Sequence, residues 1–243
     1  MNPSALYQSA QARVVAAATR SGRSSDAVHI LVVSKTVAAE QLVELLDVGV
    51  TAFGENRVQE LEEKRAALRE LRPRSEVRWE LIGPLQSNKV RRAVAAADRI
   101  SSVDRISVLE AIARIAREEG SERHVAIQVN VDGDAAKAGF SAAELRAAIP
   151  AIGAVVQGGG VIIDGLFTIG RLTPTPEDSR ATFASLRNAA VEVRRTAAEA
   201  GLSIGPLLSM GMSGDFPEAI LEGATIVRVG SALWEGLEAE RPG

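Results

Sequence analysis

The chain has 243 residues, of which 46% are hydrophobic and 24% charged, and its formal net charge is -3. This composition allows a sizeable core and gives no basic field for nucleic acid, while no apolar run reaches the roughly eighteen residues that a membrane span needs. The sequence has no cysteine and two histidines, which excludes disulfides, thiolate catalysis and zinc sites built on sulfur, so we predict a small-molecule partner and no metal centre.

Helices and short apolar strands alternate along the whole sequence. An alanine-rich helix is predicted over residues 3–20, and the β-branched run at residues 29–33 that follows it is typical of a buried strand. Further strands are predicted at residues 50–53, 77–82, 99–103, 125–131, 161–167, 203–208 and 225–229. Helices are predicted between and after them at residues 39–47, 55–71, 86–97, 105–119, 141–152, 176–200 and 231–238.

The alternation continues without a linker or a break in composition, which is typical of parallel βα units. We therefore predict an α/β fold in which residues 1–243 form a single (β/α)8 TIM-type barrel domain with an extra N-terminal helix. An open, doubly wound sheet is the alternative that the same alternation permits. The glycine run at residues 158–160 does not favour that alternative, because it precedes a strand and makes no dinucleotide-binding fingerprint.

Lys35 is the strongest single candidate for chemistry, because it stands at the C-terminal end of the first strand, where the active sites of such barrels lie. Partial desolvation there would favour the neutral amine that attacks a carbonyl. The alternative is an ordinary lysine whose charge reaches solvent. Only four of the 28 basic residues are lysines. Lys64, in a charged helix, is predicted to be solvated, and Lys89 and Lys137 lie on loops.

Serines and glycines follow the last two strands, where barrels of this type often bind phosphate with backbone N–H groups and the start of a short helix. Glycine lets the backbone approach an anion closely, and serine adds a hydroxyl donor. The alternative is that Ser213 and Ser231 only cap helices, and Asp215 is also expected to act as a cap. The predicted set is Ser209, Met210, Gly211 and Ser213 after the seventh strand and Gly230 and Ser231 after the eighth.

Arg228 lies within the eighth strand and is expected to be buried, where it needs a partner. That partner is either a carboxylate inside the barrel or the ring nitrogen of a bound cofactor. The histidines offer no alternative chemistry, since His29 and His124 precede their strands and stand at the opposite end from the serines. The segment at residues 211–215 also departs from the nucleophile elbow, because Asp215 takes the place of its last glycine.

Five ordered motifs carry a resemblance: residues 33–36, 53–60, 82–89, 209–213 and 227–231. With them the chain closely resembles the YggS/PROSC family of pyridoxal phosphate homeostasis proteins. The resemblance implies a barrel like the N-terminal domain of alanine racemase, with pyridoxal 5′-phosphate (PLP) held as a Schiff base on Lys35. It also implies that the serine-glycine loops hold the phosphate, that Arg228 lies near the pyridine nitrogen, and that Asn56 belongs to the site. The chain departs from common family patterns around Glu80, Phe167 and Trp234.

The function expected from these features is PLP binding and intracellular PLP homeostasis, in a cytoplasmic monomer with neither a nucleic-acid nor a membrane partner. PLP-dependent apo-enzymes are candidate recipients. The alternative is a weakly active PLP-dependent amino-acid racemase, which needs an acid/base group on each face of its substrate. The only tyrosine is Tyr7, in the first helix, and no second domain is expected. A cofactor-independent aldolase that uses Lys35 directly is a third hypothesis.

Overall fold

The computed structural model describes residues 2–35, 37–170 and 173–234. Within them eight parallel strands close into a barrel in the order of the sequence, and the last strand pairs with the first. The strands are β1 His29–Val33, β2 Ala52–Glu55, β3 Arg78–Leu81, β4 Arg99–Val103, β5 Arg123–Gln128, β6 Val161–Phe167, β7 Leu207–Ser209 and β8 Ile226–Val229. The predicted TIM barrel is confirmed, and the open sheet was the wrong alternative because β8 returns to β1.

Helices surround this barrel, and an additional N-terminal helix, α1, packs against its outer layer. They are α1 Pro3–Arg20, α2 Ala39–Asp47, α3 Val58–Leu71, α4 Val90–Ala96, α5 Ile106–Glu118, α6 Ala142–Gln157, α7 Arg180–Glu199 and α8 Phe216–Leu221. The start of α1 is fixed by Asn2, whose side chain accepts a hydrogen bond from the Ser4 N–H, and by Pro3 in the first turn. No helix of the described residues has the length and apolar character that crossing a membrane requires.

The strands bury both faces, as strands of a parallel barrel must. Val32 faces the helices and belongs to the large outer core, whereas its neighbours Leu31 and Val33 belong to a smaller cluster inside the barrel. This alternation follows from the two-residue period of a strand. The inner cluster consists of Leu31, Val33, Ile82, Ala126, Phe167, Leu207 and Ile226.

Several elements differ in extent or kind from the sequence prediction, among them the following three. The second strand begins at Ala52 and includes Glu55, because Gly54 and Glu55 pair with Glu80 and Leu81 of β3. The six-residue helix α8 lies between β7 and β8, where a cap was expected at Asp215 but no bounds were predicted for a helix. A 3-10 helix at Ser231–Leu233 stands where the last helix was expected, and residues 235–238 of that prediction lie outside the described residues.

Candidate functional site

A cavity of about 780 Å³ opens at the C-terminal ends of the strands. Six of the predicted site residues line it: Lys35, Asn56, Ser213, Arg228, Gly230 and Ser231. They come from the ends of β1, β2 and β8 and from the loop after β7, so closure of the barrel brings together residues nearly 200 positions apart in the chain.

The other three predicted residues lie behind this lining. Ser209 is fully buried, and its hydroxyl accepts a hydrogen bond from Arg228. Met210 is buried in the outer core, and its N–H donates to the Ile226 carbonyl. Gly211 has a φ of +87°, and a Cβ there would lie 2.5 Å from the Cβ of Ala219. These residues shape and support the loop after β7, whereas Ser213 lines the cavity.

Lys35 lies two residues after the end of β1 and lines the cavity, but it is exposed and does not show the partial burial expected of it. The strand end beneath it is fixed by its surroundings. The Trp234 indole N–H donates to the Val33 carbonyl at 2.9 Å, and Trp234 also lines the cavity. The chain that leads to Lys35 is therefore tied to the segment that follows β8.

Lys64 is buried, so the prediction of a solvated lysine was wrong. Its ammonium lies 2.5 Å from Glu55 Oε1 and donates to the Ser34 carbonyl. The reason is its position on α3, where Leu61, Lys64 and Leu68 share the buried face. Their spacing of three and four residues was visible in the sequence and could have placed Lys64 on the inner face.

The loops after β7 and β8 are joined by Ser213. Its Oγ accepts hydrogen bonds from the N–H groups of Gly230 at 3.1 Å and Ala232 at 3.3 Å. The hydroxyl hydrogen of Ser213 stays available to an anion in the cavity, because these contacts use the oxygen as acceptor. Among the described residues, the backbone N–H groups of Ser213, Gly214 and Ser231 have no hydrogen-bond partner. This donor set suits a phosphate.

Asp215 also lines the cavity, and its carboxylate accepts the Met212 N–H at 2.7 Å. It closes the loop after β7 in this way and makes no side-chain capping bond to α8. Burial raises the pKa of the Asp215 carboxyl, while the Met212 hydrogen bond and the charge of Arg228 lower it. Asp215 therefore stands at the N-cap position of α8, as expected, but its side chain shapes the loop instead of bonding to the helix.

Arg228 is 3% exposed and donates from Nη1 to Ser209 Oγ at 3.0 Å and from Nη2 to the Thr168 carbonyl at 2.8 Å. Its guanidinium carbon lies 4.4 Å from the centre of the Phe167 ring. Burial lowers the pKa of Arg228 to about 10, against the opposing charges of Glu80 and Asp215. No carboxylate within the described ranges forms a salt bridge with it, and its hydrogen-bond partners are neutral groups, so the alternative of an internal ion pair is not supported there.

Several lining residues were not among the predicted site residues. Ile169 and Thr173 follow β6, Met212 precedes Ser213, and Ile82 follows β3. Asn56 is held by a close approach of Gly83, where a Cβ would lie 2.2 Å from the Asn56 carbonyl oxygen. The positions of these unpredicted lining residues after strands could have indicated their place in the site, because the C-terminal ends of the strands meet at this face of the barrel.

The departures from the family pattern lie at different depths. Phe167 and Trp234 line the cavity, whereas Glu80 is buried and bonded to Arg99 at 3.1 Å and to Ser101. The histidines stand at the other end of the barrel, as expected, and His124 Nδ1 lies 2.7 Å from Asp164 Oδ1. Neither histidine lines the cavity that contains Lys35.

Comparison with known proteins identifies the relatives of this chain. The family model for the alanine racemase N-terminal domain matches residues 9–237. A pyridoxal phosphate homeostasis protein of Aquifex aeolicus is 37% identical over 222 residues, which cover 91% of this chain and 92% of that protein. The protein of the same name from Escherichia coli K12 is 34% identical over 226 residues, with 91% of each chain covered.

Solved structures agree with this assignment. PipY of Synechococcus elongatus PCC7942, solved with PLP bound, is 40% identical, covers 85% of this chain and 92% of its own, and has a TM-score of 0.76. An alanine racemase of Clostridium difficile 630 is 17% identical, with a TM-score of 0.62 over 88% of this chain and 53% of that one, and shows the shared fold alone. The chain belongs to the pyridoxal phosphate homeostasis protein family, on a barrel of the alanine racemase N-terminal type.

Proposed function

We propose that this protein binds PLP in the cavity at the C-terminal end of the barrel, attaches it to Lys35, and serves PLP homeostasis in the cytoplasm. The observation that carries the proposal is that three features line one cavity of about 780 Å³. They are Lys35, the hydrogen-bond donors of the loops after β7 and β8, and Arg228. The names of its relatives and the PLP-bound structure of PipY support it. We further propose that it acts as a monomer and passes PLP to apo-enzymes.

The residues present fit this cofactor. When bound, PLP supplies an aldehyde that condenses with a lysine amine and a ring that withdraws electrons. Lys35 is the only lysine among the described residues that line the cavity, and it provides the amine. Ser213 and Ser231 with the partnerless N–H groups of their loops provide an anion site without a cationic side chain of their own. The apolar walls at Ile82 and Ile169 suit an aromatic ring.

Arg228 disfavours chemistry that needs strong electron withdrawal by the cofactor ring. A pKa of about 10 leaves it protonated at neutral pH, and an arginine that donates to the ring nitrogen keeps that nitrogen unprotonated. An unprotonated ring withdraws electrons weakly, so carbanion chemistry gains little. Lys35, Asp215 and Arg228 are the ionisable residues among those described along the cavity, and Tyr7 is buried in α1.

The test is reconstitution of purified protein with PLP, followed by absorbance spectra of the wild type, Lys35→Ala and the control Lys89→Ala. We expect the visible band of lysine-bound cofactor in the wild type and in Lys89→Ala, and its loss in Lys35→Ala. Borohydride reduction and peptide mass measurement then identify the modified residue. A wild-type protein that gains no band and no adduct would overturn the proposal.

A weak amino-acid racemase is the second candidate, and the match to the alanine racemase N-terminal family model favours it. Incubation of the PLP-loaded protein with single L-amino acids, followed by chiral chromatography, tests it directly. A robust rate of racemisation that is abolished by Lys35→Ala would favour the racemase function over PLP homeostasis. Borohydride trapping with a phosphorylated sugar in place of PLP, followed by mass measurement, tests the cofactor-independent aldolase.

A further inference from the structure

A buried ionic cluster lies directly behind Lys35 and has no part in the proposed cofactor contacts. The Lys64 ammonium lies 2.5 Å from both Glu55 Oε1 and the Ser34 carbonyl oxygen. The Ser34 hydroxyl donates to the same Glu55 oxygen at 2.7 Å. Ser34 and Glu55 are fully buried, and the Lys64 side chain is 11% exposed.

This cluster is a costly way to stabilise a fold. Burial raises the pKa of the Glu55 carboxyl, although the hydrogen bond and charge of Lys64 oppose the shift. The second carboxylate oxygen of Glu55 has no hydrogen-bond partner among the described residues. Apolar side chains of similar volume often replace such a pair without loss of stability. A purely structural role therefore gives no reason for an ion pair at this position.

An apolar pair at these positions could not hydrogen-bond to Ser34, as Glu55 and Lys64 do. The Ser34 N–H donates to the Gly54 carbonyl at 3.1 Å, and the Ser34 carbonyl accepts both the Lys64 ammonium and the Val37 N–H. With its hydroxyl bound to Glu55, every polar group of Ser34 is engaged. The Ser34 carbonyl belongs to the peptide unit that leads into Lys35. That plane contains the N and Cα atoms of Lys35, so fixing it sets the point from which the Lys35 side chain leaves the backbone.

We propose that Glu55 and Lys64 are positioning residues that orient Lys35 for attachment to PLP. They act through Ser34 and do not line the cavity. The inference rests on the proposed function, since it concerns the reaction of Lys35 with the cofactor. Loss of the cluster should leave the loops after β7 and β8 intact and should misplace the Lys35 amine. A misplacement of about 1 Å can lower a reaction rate by about a hundredfold.

The test compares the wild type with the double variant Lys64→Met/Glu55→Gln, which removes both charges and leaves no lone buried ion. The first measurement is the rate at which PLP becomes attached to Lys35, followed by absorbance and by borohydride trapping. The second is the affinity for 4′-deoxypyridoxine 5′-phosphate, which keeps the ring and phosphate but has no aldehyde. We expect attachment to slow by about tenfold or more and the affinity for the analogue to stay at the wild-type value.

Arg65→Met is the matched control. Arg65 is the next residue of α3 and pairs with Asp98 at 3.2 Å, away from Ser34, so its loss should leave the attachment rate unchanged. Wild-type attachment by the double variant would overturn the inference, as would an equal loss of attachment and analogue affinity, which would mean general damage to the site. A wild-type protein that binds the analogue but never attaches PLP would overturn the proposed covalent function itself.

Discussion

The Arg228 guanidinium donates a hydrogen bond to the Ser209 hydroxyl across 3.0 Å and so joins β8 to β7 inside the barrel. The same side chain reaches the Thr168 carbonyl at the end of β6 and lies against the Phe167 ring. It therefore bridges three consecutive strands at the wall of the cavity. The hydrogen-bond partners of Arg228 are neutral, so no opposite charge holds the side chain. Its position depends on the fork shape of the guanidinium, which donates to both oxygens at once.

Arg228→Lys should test that dependence. Lysine keeps the charge but cannot donate to Ser209 and Thr168 in the same fork, so we expect the free energy of unfolding to fall by about 1–3 kcal/mol. PLP affinity should fall by about tenfold, equivalent to about 1.4 kcal/mol. Urea unfolding and a PLP titration measure the two effects. Wild-type values in both would show that the paired hydrogen bonds of Arg228 are dispensable.

Ser213→Ala should weaken phosphate recognition. The substitution removes the acceptor of the Gly230 and Ala232 N–H groups together with a hydroxyl donor in the cavity. We expect PLP affinity to fall by about tenfold, the equivalent of one lost hydrogen bond to a charged group. Affinity for pyridoxal, which lacks the phosphate, should not change. Ser185→Ala, on the exposed face of α7, is the control, and equal losses for PLP and pyridoxal would contradict the assignment.

Gly211→Ala and Gly214→Ala form a matched pair that tests backbone shape in one loop. Gly211 has a φ of +87° and a Cβ there would meet Ala219 at 2.5 Å, whereas nothing lies within 4 Å of a Cβ at Gly214. We expect Gly211→Ala to lower the free energy of unfolding by about 2–4 kcal/mol and Gly214→Ala by less than about 1 kcal/mol. Urea unfolding of the two apo-proteins is the measurement. Equal stabilities would contradict the close contact with α8.

Glu222→Gln should reveal a pH-dependent ion pair. The buried Glu222 carboxylate accepts hydrogen bonds from Arg180 and Arg187. Burial would raise its pKa, but these arginines outweigh burial and hold it below the ordinary 4.5. The free energy of unfolding of the wild type should exceed that of Glu222→Gln by about 1–2 kcal/mol at neutral pH.

The sign of the pH dependence follows from the lowered pKa. The stabilising contribution of Glu222 is fully present above its unfolded pKa and is lost as the pH falls through the lower folded value. Unfolding free energies of wild type and Glu222→Gln should therefore differ at neutral pH and converge at about pH 3 or below. An advantage that persists unchanged in acid would mean that the charge of Glu222 is not what stabilises the fold.

Local patterns predicted much of this molecule. The bounds of α1, β1, α2, β4 and β6 match the prediction, because each is a periodic or β-branched segment with a clear end. Lys35 could be singled out because it lies close to the C-terminal end of an apolar strand that the sequence predicts clearly. The second strand was misplaced because its sequence at Gly54 and Glu55 looks like a turn, and only pairing with β3 makes it a strand.

The sequence by itself determined the order of strands and helices, the lysine at the first strand end and the serine-glycine segments after the last two strands. Tertiary structure decided which of those polar side chains face the cavity, because strand register and barrel closure set the direction of each. The register of the strands directs the Glu55 side chain to the buried Lys64. It directs the Arg228 side chain to Ser209 and Thr168. No local pattern contains these contacts, since each depends on how strands and helices pack against one another.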